Sequence, residues 1–116
     1  MTRGRTRLAV NPSGAHGAQT RPIPPVVAQR LAAVFKSLSD PTRLRIISLV
    51  SEREYCVTDL VAALGMEQST ISHQLRDMRV AGWVRYRREG RHVFYALDDE
   101  HVRALYRQAL AHIGQD

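Results

Sequence analysis

The sequence predicts a mainly α-helical domain that carries one small β-hairpin. Apolar residues recur at helical spacing over most of the chain from residue 25 onward. Glycines end two of the helical segments, and two β-rich segments flank a short turn near residue 90. We therefore expect about five helices, with a two-stranded wing between the fourth and fifth, arranged as a winged helix-turn-helix.

Composition limits the class of protein. The chain has 116 residues, which is enough for one domain, and its net charge is +6, with all but one of its 17 basic residues being arginines. Such a charge favours nucleic acid as a partner, because arginine binds phosphate through two parallel hydrogen bonds. The lack of an 18-residue apolar run argues against a membrane span, and the single cysteine excludes an internal disulfide. We expect a cytoplasmic protein.

The first 24 residues differ in composition from the rest. Residues 1–24 combine prolines, glycines and small polar residues with several arginines and have no acidic residue. We expect a disordered basic arm there, followed by the folded domain at residues 25–116. The arm is either a contact for DNA phosphates or an inert leader, and the sequence leaves both open.

Helix boundaries are marked at two places before the fourth helix. Asp40 suits a helix N-cap and Pro41 suits the first helical position, so the second helix is expected to begin there. Thr58 or Asp59 is expected to cap a short third helix, which Gly65 ends.

The fourth helix, expected at residues 68–81, has one apolar and one polar side. Ile71, Leu75 and Met78 are spaced to face the core. The opposite side carries groups of the kind that read base edges in the major groove: Gln68, Ser69, Thr70, Ser72, His73 and Arg76. An ordinary solvated face mixes lysine and glutamate freely, whereas this segment has no lysine and one acid. The helix is therefore predicted to bind double-stranded DNA.

The hairpin supports the same prediction. Its strands are expected at residues 83–88 and 92–97. Three arginines surround the tip and are expected to contact phosphates or enter the minor groove: Arg87, Arg88 and Arg91. The sequence shows no nucleophile–base spacing and no phosphate-binding glycine loop, so an enzyme is not expected. A wing that binds protein instead of DNA is the alternative, and its arginines argue against it.

The final helix, expected at residues 99–113, carries two histidines. His101 and His112 fall within about 20° on one helical face but about 16 Å apart along the axis, so they cannot share a metal within one helix. Two antiparallel copies related by a two-fold axis would bring His101 of one beside His112 of the other. Capping by Asp99 and a macrodipole contact by His112 are the alternative roles.

At this point the sequence resembles the ArsR/SmtB family of bacterial transcriptional repressors over about residues 27–113. The resemblance lies in FKSLSDPTR at residues 35–43, VTDL at 57–60, QSTISHQL at 68–75, GWV at 82–84 and RREGR at 87–91. It implies a homodimer that binds an imperfect inverted repeat in an operator and is released when a metal ion binds. We expect dimerisation through the first and last helices. Some members of the family sense no metal.

The resemblance also implies a metal site on the last helix. Its ligands here would be Asp99, His101 and His112, while Gln115 stands at the fourth position and Asp116 follows it. Aspartate and histidine without thiolate suit Zn²⁺, Ni²⁺ or Co²⁺. A regulator that senses no metal, and is controlled by a partner protein or another signal, stays open because of the glutamine.

The family's second metal site, on the third helix, uses a pair of cysteines. Here Thr58 replaces the second cysteine, so we do not expect a thiolate site and interpret Cys56 as a small buried residue. His16, in the arm, stays open as an additional ligand.

Overall fold

The computed structural model describes residues 20–114, in which five helices and the two wing strands follow the predicted order and a short additional strand lies between the second and third helices. The elements are α1 (Pro25–Ser37), α2 (Pro41–Val50), β1 (Tyr55–Cys56), α3 (Val57–Leu64), α4 (Gln68–Val80), β2 (Val84–Glu89), β3 (His92–Leu97) and α5 (Glu100–His112). This arrangement confirms the predicted winged helix-turn-helix fold. Most of the predicted arm lies outside the described residues, as do His16, Gln115 and Asp116, so the arm stays a prediction.

Side-chain caps fix the starts of two helices. An Oδ atom of Asp40 accepts the backbone N–H of Arg43 at 2.9 Å, and Pro41 occupies the first turn of α2. Asp99 likewise accepts the backbone N–H of Val102 at 3.1 Å and caps α5. These contacts satisfy N–H groups that a helix start otherwise leaves unpaired.

The start of α3 differs from the sequence prediction. Neither Thr58 nor Asp59 is its cap, since the helix begins at Val57 and Cys56 is the N-cap residue. Pairing of Cys56 with Phe94 holds the cysteine in extended backbone, and the chain turns directly from strand into helix. The prediction of Gly65 as the stop is confirmed, because it takes the left-handed conformation with φ 66° and ψ 34°.

The wing contains a strand that the sequence prediction missed. In the described residues the sheet is three-stranded and antiparallel, with strand order β1-β3-β2. The predicted two-stranded wing was therefore incomplete. Tyr95 on β3 is paired with Tyr55 on one side and with Tyr86 on the other. β1 therefore attaches the base of the wing to the start of α3.

The core lies between α2, α3 and α4. Its most deeply buried side chains come from these three helices: Ile46, Ile47, Val50, Leu60, Ile71, Leu75 and Met78. By contrast, every residue of α1 from Pro25 to Lys36 is exposed. Among the described residues, no helix combines the length and the apolar character needed to cross a membrane.

Candidate nucleic-acid interface and metal ligands

Helix α4 presents a continuous polar surface beside the core. Ile71, Leu75 and Met78 are completely buried, as predicted. The opposite side exposes Gln68, Ser69, Thr70, His73 and Arg76, whereas Ser72 is half-buried at its edge. The structure thus brings the sequence-predicted residues of this helix onto one surface, and three of them lie in the first helical turn.

Two contacts hold side chains on this surface. His73 Nε2 lies 3.4 Å from an Oδ atom of Asp77, one helical turn further on. The guanidinium of Arg79 stacks 4.7 Å above the ring of Tyr86 and joins the last turn of α4 to the wing. Asp77 and Tyr86 were not among the predicted site residues, although the i,i+4 spacing of His73 and Asp77 is a signal for such a pair.

The three wing arginines differ in their surroundings. Arg88 and Arg91 are exposed near the hairpin tip. Arg87 instead donates from Nε and Nη2 to the Glu54 carboxylate at 2.7–3.1 Å, and from Nη1 to Glu89 at 2.7 Å. Because side chains alternate along a strand, Arg87 and Arg88 lie on opposite faces of β2.

The ion pair between Glu54 and Arg87 shifts the pKa of both side chains. The hydrogen bond from Arg87 lowers the pKa of Glu54 below its ordinary value. The two carboxylates raise the pKa of Arg87 above its ordinary value. Because its pKa is lowered, Glu54 keeps its negative charge at neutral pH and loses it only in acid. The Glu54–Arg87 ion pair therefore persists at neutral pH and breaks as the pH falls through the lowered pKa.

The start of α5 places two of the predicted metal ligands together. His101 Nδ1 lies 3.5 Å from an Oδ atom of Asp99, and the His101 side chain is 97% exposed. The other Oδ of Asp99 caps the helix, and the hydrogen bond from the backbone N–H of Val102, followed by that from His101, lowers the pKa of Asp99. This carboxylate is therefore ionised at neutral pH and keeps one oxygen beside an imidazole.

The third predicted ligand is distant from this pair. His112 ends α5, so it lies about 16 Å further along the helix axis. Within residues 20–114, no three histidine, cysteine, aspartate or glutamate side chains gather into a cluster that could hold a metal. In the single chain, Asp99 and His101 therefore lie at one end of α5 and His112 at the other.

An apolar surface extends over α1, α2 and α5. Val27, Leu31 and Phe35 are 40–52% exposed on α1. Beside them is a cleft of about 240 Å³, and a second of about 440 Å³ lies between α2 and α5. The lining residues are mostly apolar and include Phe35, Leu44, Tyr106, Leu110 and Ile113; Arg45 and Ser48 also line the larger cleft. A patch of this kind marks an interaction surface on a small domain.

Cys56 is buried, with 8% of its surface exposed, as expected for a small core residue. Thr58, at the position of the family's second thiolate, is exposed and is the second residue of α3.

The known proteins that this chain resembles are DNA-binding transcriptional regulators, in agreement with the polar surface of α4 and the wing. The model of the family described as bacterial regulatory protein, arsR family, matches residues 40–86. A transcriptional repressor SmtB homolog of Synechocystis sp. is 45% identical over 105 residues, covering 86% of this chain and 80% of the relative. A cadmium resistance transcriptional regulatory protein CadC homolog of Staphylococcus aureus is 45% identical over 83 residues, covering 71% of this chain and 69% of the relative.

A solved structure gives the same fold. The homodimeric winged helix-turn-helix DNA-binding domain of a possible ArsR-family regulator from Mycobacterium bovis superposes with a TM-score of 0.69. Its sequence is 29% identical, and the match covers 85% of this chain and 94% of that one. With the exposed polar face of α4 and the arginine-bearing wing, these relatives show that the chain is a non-enzymatic DNA-binding transcriptional regulator and belongs to the ArsR/SmtB family.

Proposed function

We propose that this protein is a homodimeric, metal-responsive repressor that binds an operator inverted repeat. The DNA-binding part of this proposal rests on the polar surface of α4. This surface is exposed, and it lies opposite the completely buried side chains of Ile71, Leu75 and Met78. The N-terminal half of α4 would enter the major groove, so Gln68, Ser69, Thr70 and His73 lie nearest the bases. Ser72 and Arg76 contact the edges or the backbone of the same half-site.

The wing would supply phosphate contacts beside the helix. Arg88 and Arg91 are exposed and carry charge that phosphates attract. Arg87 contributes only after it exchanges a carboxylate partner for a phosphate, because Glu54 and Glu89 hold its guanidinium in the unbound chain.

The homodimer would form through α1 and α5. The apolar side of α1 is exposed in the single chain, and the clefts beside α5 are lined by apolar residues. Burying this surface against a second copy favours association, since a small domain alone buries a smaller share of its surface than a larger domain does. The homodimeric relative from M. bovis supports a homodimer.

The metal site would be built across that dimer. Asp99 and His101 already lie together, and the partner's His112 would complete three ligands if the two copies of α5 run antiparallel. Carboxylate and imidazole donors fit Zn²⁺, Ni²⁺ or Co²⁺, with Gln115 or Asp116 as the fourth ligand. A relative named for cadmium resistance supports a link to metals in general. The bound ion would favour a dimer geometry that separates the two reading helices from their half-sites.

Metal binding is tested by titration calorimetry with Zn²⁺, Ni²⁺ and Co²⁺. We expect wild-type protein to bind one ion per protomer, and His101→Ala to weaken that binding by about 100-fold, since even partners that only orient a ligand cost 10–100-fold. His92→Ala, which removes an exposed wing histidine, is the matched control and should bind metal as wild type does. Tight binding that survives His101→Ala would contradict the assigned site.

Regulation is tested in the same samples by fluorescence anisotropy on a duplex selected from a random library with wild-type protein. Metal should lower the DNA affinity by about 10–100-fold, and by linkage DNA must lower the metal affinity equally. The second candidate is a regulator that senses no metal, which the glutamine at position 115 favours. Operator affinity unchanged by all three ions would support this candidate. Control by a partner protein has no support among the described residues or the relatives.

Release of Arg87 is tested with Glu54→Gln. The change removes one of the two carboxylate charges that hold the guanidinium, so Arg87 exchanges its remaining partner, Glu89, for a phosphate more readily. We expect DNA affinity near 0.15 M salt to rise about fivefold, and the log–log salt dependence to steepen by about 0.9. Glu52→Gln removes an equal charge from an exposed neighbour and separates a general charge effect from the specific one. A salt slope unchanged by Glu54→Gln would mean that Arg87 stays with Glu89.

A further inference from the structure

We propose that a polar joint of Ser37, Arg43, Gln74 and Trp83 positions the recognition helix α4 relative to the dimerisation helix α1. The joint would thereby set the spacing of the two reading helices in the dimer. This inference rests on the proposed function, because it concerns DNA binding by a dimer joined through α1. None of the four residues belongs to the DNA-reading surface or to the metal ligands described above.

Arg43 is the centre of the joint. Its side chain is only 17% exposed, although it is an arginine at the start of α2. Nε donates to Gln74 Oε1 of α4 at 2.9 Å, and Nη1 donates to the Ser37 carbonyl at the end of α1 at 2.5 Å. Nη2 lies 4.0 Å from an Oδ atom of Asp77, the residue that also faces His73. One rigid guanidinium therefore connects α1 with two residues of the recognition helix.

Ser37 connects the same end of α1 to the base of the wing. Its hydroxyl accepts the indole N–H of Trp83 at 2.7 Å and donates to the Val34 carbonyl at 2.7 Å. Trp83 is itself fixed, since it is 8% exposed and its backbone N–H bonds to the Met78 carbonyl at 2.8 Å. The joint thus fastens α1 to both DNA-facing elements of one protomer.

The joint matters because apolar packing of α1 within the single chain is slight. Residues 25–36 are all exposed, and Leu38, just after the helix, is the half-buried residue that packs against the core. In the proposed dimer the apolar side of α1 packs on the second copy. Directional hydrogen bonds then hold α1 against the rest of its own protomer, and hydrogen bonds to a charged guanidinium are the stronger kind.

Orientation of α1 bears directly on operator choice. A dimer reads two half-sites whose separation is fixed by the helical repeat of DNA, so a small rotation about the α1 interface moves both reading helices out of register. A rigid joint therefore favours one half-site spacing. A loosened joint lowers affinity for that spacing and tolerates other spacings better.

The experiment compares wild type with two variants that remove different hydrogen bonds of the joint. Arg43→Lys keeps the charge but loses the planar fork, and Ser37→Ala removes the acceptor of the Trp83 N–H. Arg53→Lys makes the same exchange at an exposed position just after α2, outside the joint, the DNA-reading surface and the apolar clefts, and is the matched control. Probes are duplexes selected with wild-type protein, the same duplexes with one base pair inserted or deleted between half-sites, and a single half-site. Thermal unfolding and sedimentation confirm that each variant is a folded dimer.

Each variant is expected to bind the selected duplex about tenfold more weakly than wild type, a loss of about 1.4 kcal/mol. The affinity of each variant for the single half-site should stay within about twofold of wild type. The loss of affinity caused by inserting or deleting one base pair between the half-sites should be smaller in the variants than in wild type. A merely structural role would instead lower affinity for every probe equally and keep the spacing penalty, which would overturn the inference. If Arg43→Lys does not fold, Ser37→Ala decides by the same criterion. Failure of wild-type protein to select any duplex would overturn the proposed function, and the inference with it.

Discussion

Replacing Leu75 with alanine is expected to lower the free energy of unfolding by about 2–5 kcal/mol. Leu75 is completely buried at the centre of α4, among core residues from α2 and α3. Truncation removes apolar burial and leaves a cavity that its close-packed neighbours fill only in part. A loss of this size is a large share of the 5–15 kcal/mol typical of a whole domain, so DNA binding should fail as the fold is lost. Urea unfolding followed by circular dichroism measures the change.

Val80 supplies the matched control for this prediction. It lies on the same helix but is 80% exposed, so Val80→Ala removes little buried surface. Its free energy of unfolding should stay within about 0.5 kcal/mol of wild type. Equal losses in the two variants would contradict the division of α4 into a core side and a DNA side.

Removing the two exposed wing arginines together is expected to weaken DNA binding by about 30-fold near 0.15 M salt. Each phosphate contact releases counterions, so the double variant Arg88→Ala/Arg91→Ala should also reduce the log–log salt slope by about 1.8. Fluorescence anisotropy over a salt series measures both quantities on one duplex. Thermal unfolding should change little, because both side chains are exposed.

Arg85 provides the control on the same strand. Its guanidinium donates to the carbonyls of Leu97 and Asp98, at 3.0 and 2.7 Å, rather than extending from the hairpin tip. Arg85→Ala should therefore leave the salt slope as in wild type. A slope insensitive to Arg88 and Arg91, in protein that still binds DNA, would place the phosphate contacts elsewhere.

Elements with a strong local signal were predictable from the sequence. Asp40 and Pro41 define the start of α2, and Gly65 ends α3, because capping and left-handed backbone depend on the residue itself. The buried stripe of α4 followed from helical periodicity, with all three predicted residues completely buried.

Where the prediction was wrong or incomplete, the determinant is distant in the chain. Strand β1 has two residues, too few for a recognisable alternation, and it exists because Tyr55 and Cys56 find partners on β3. The same pairing moved the start of α3 to Val57. A local reading of Thr58 and Asp59 as caps could not anticipate a strand formed across about 40 residues of sequence.

Periodicity and local backbone preference were enough to predict the order of the five helices and the two wing strands, the core side of α4 and the residue types on its polar side. Which polar groups meet depended on the tertiary structure. It paired Arg87 with Glu54, 33 residues away, and joined Arg43 to Gln74 and Trp83 to Ser37, which are 31 and 46 residues apart. Hydrogen bonds and ion pairs require atoms within about 3–4 Å, and helical or strand spacing fixes such distances only between near neighbours.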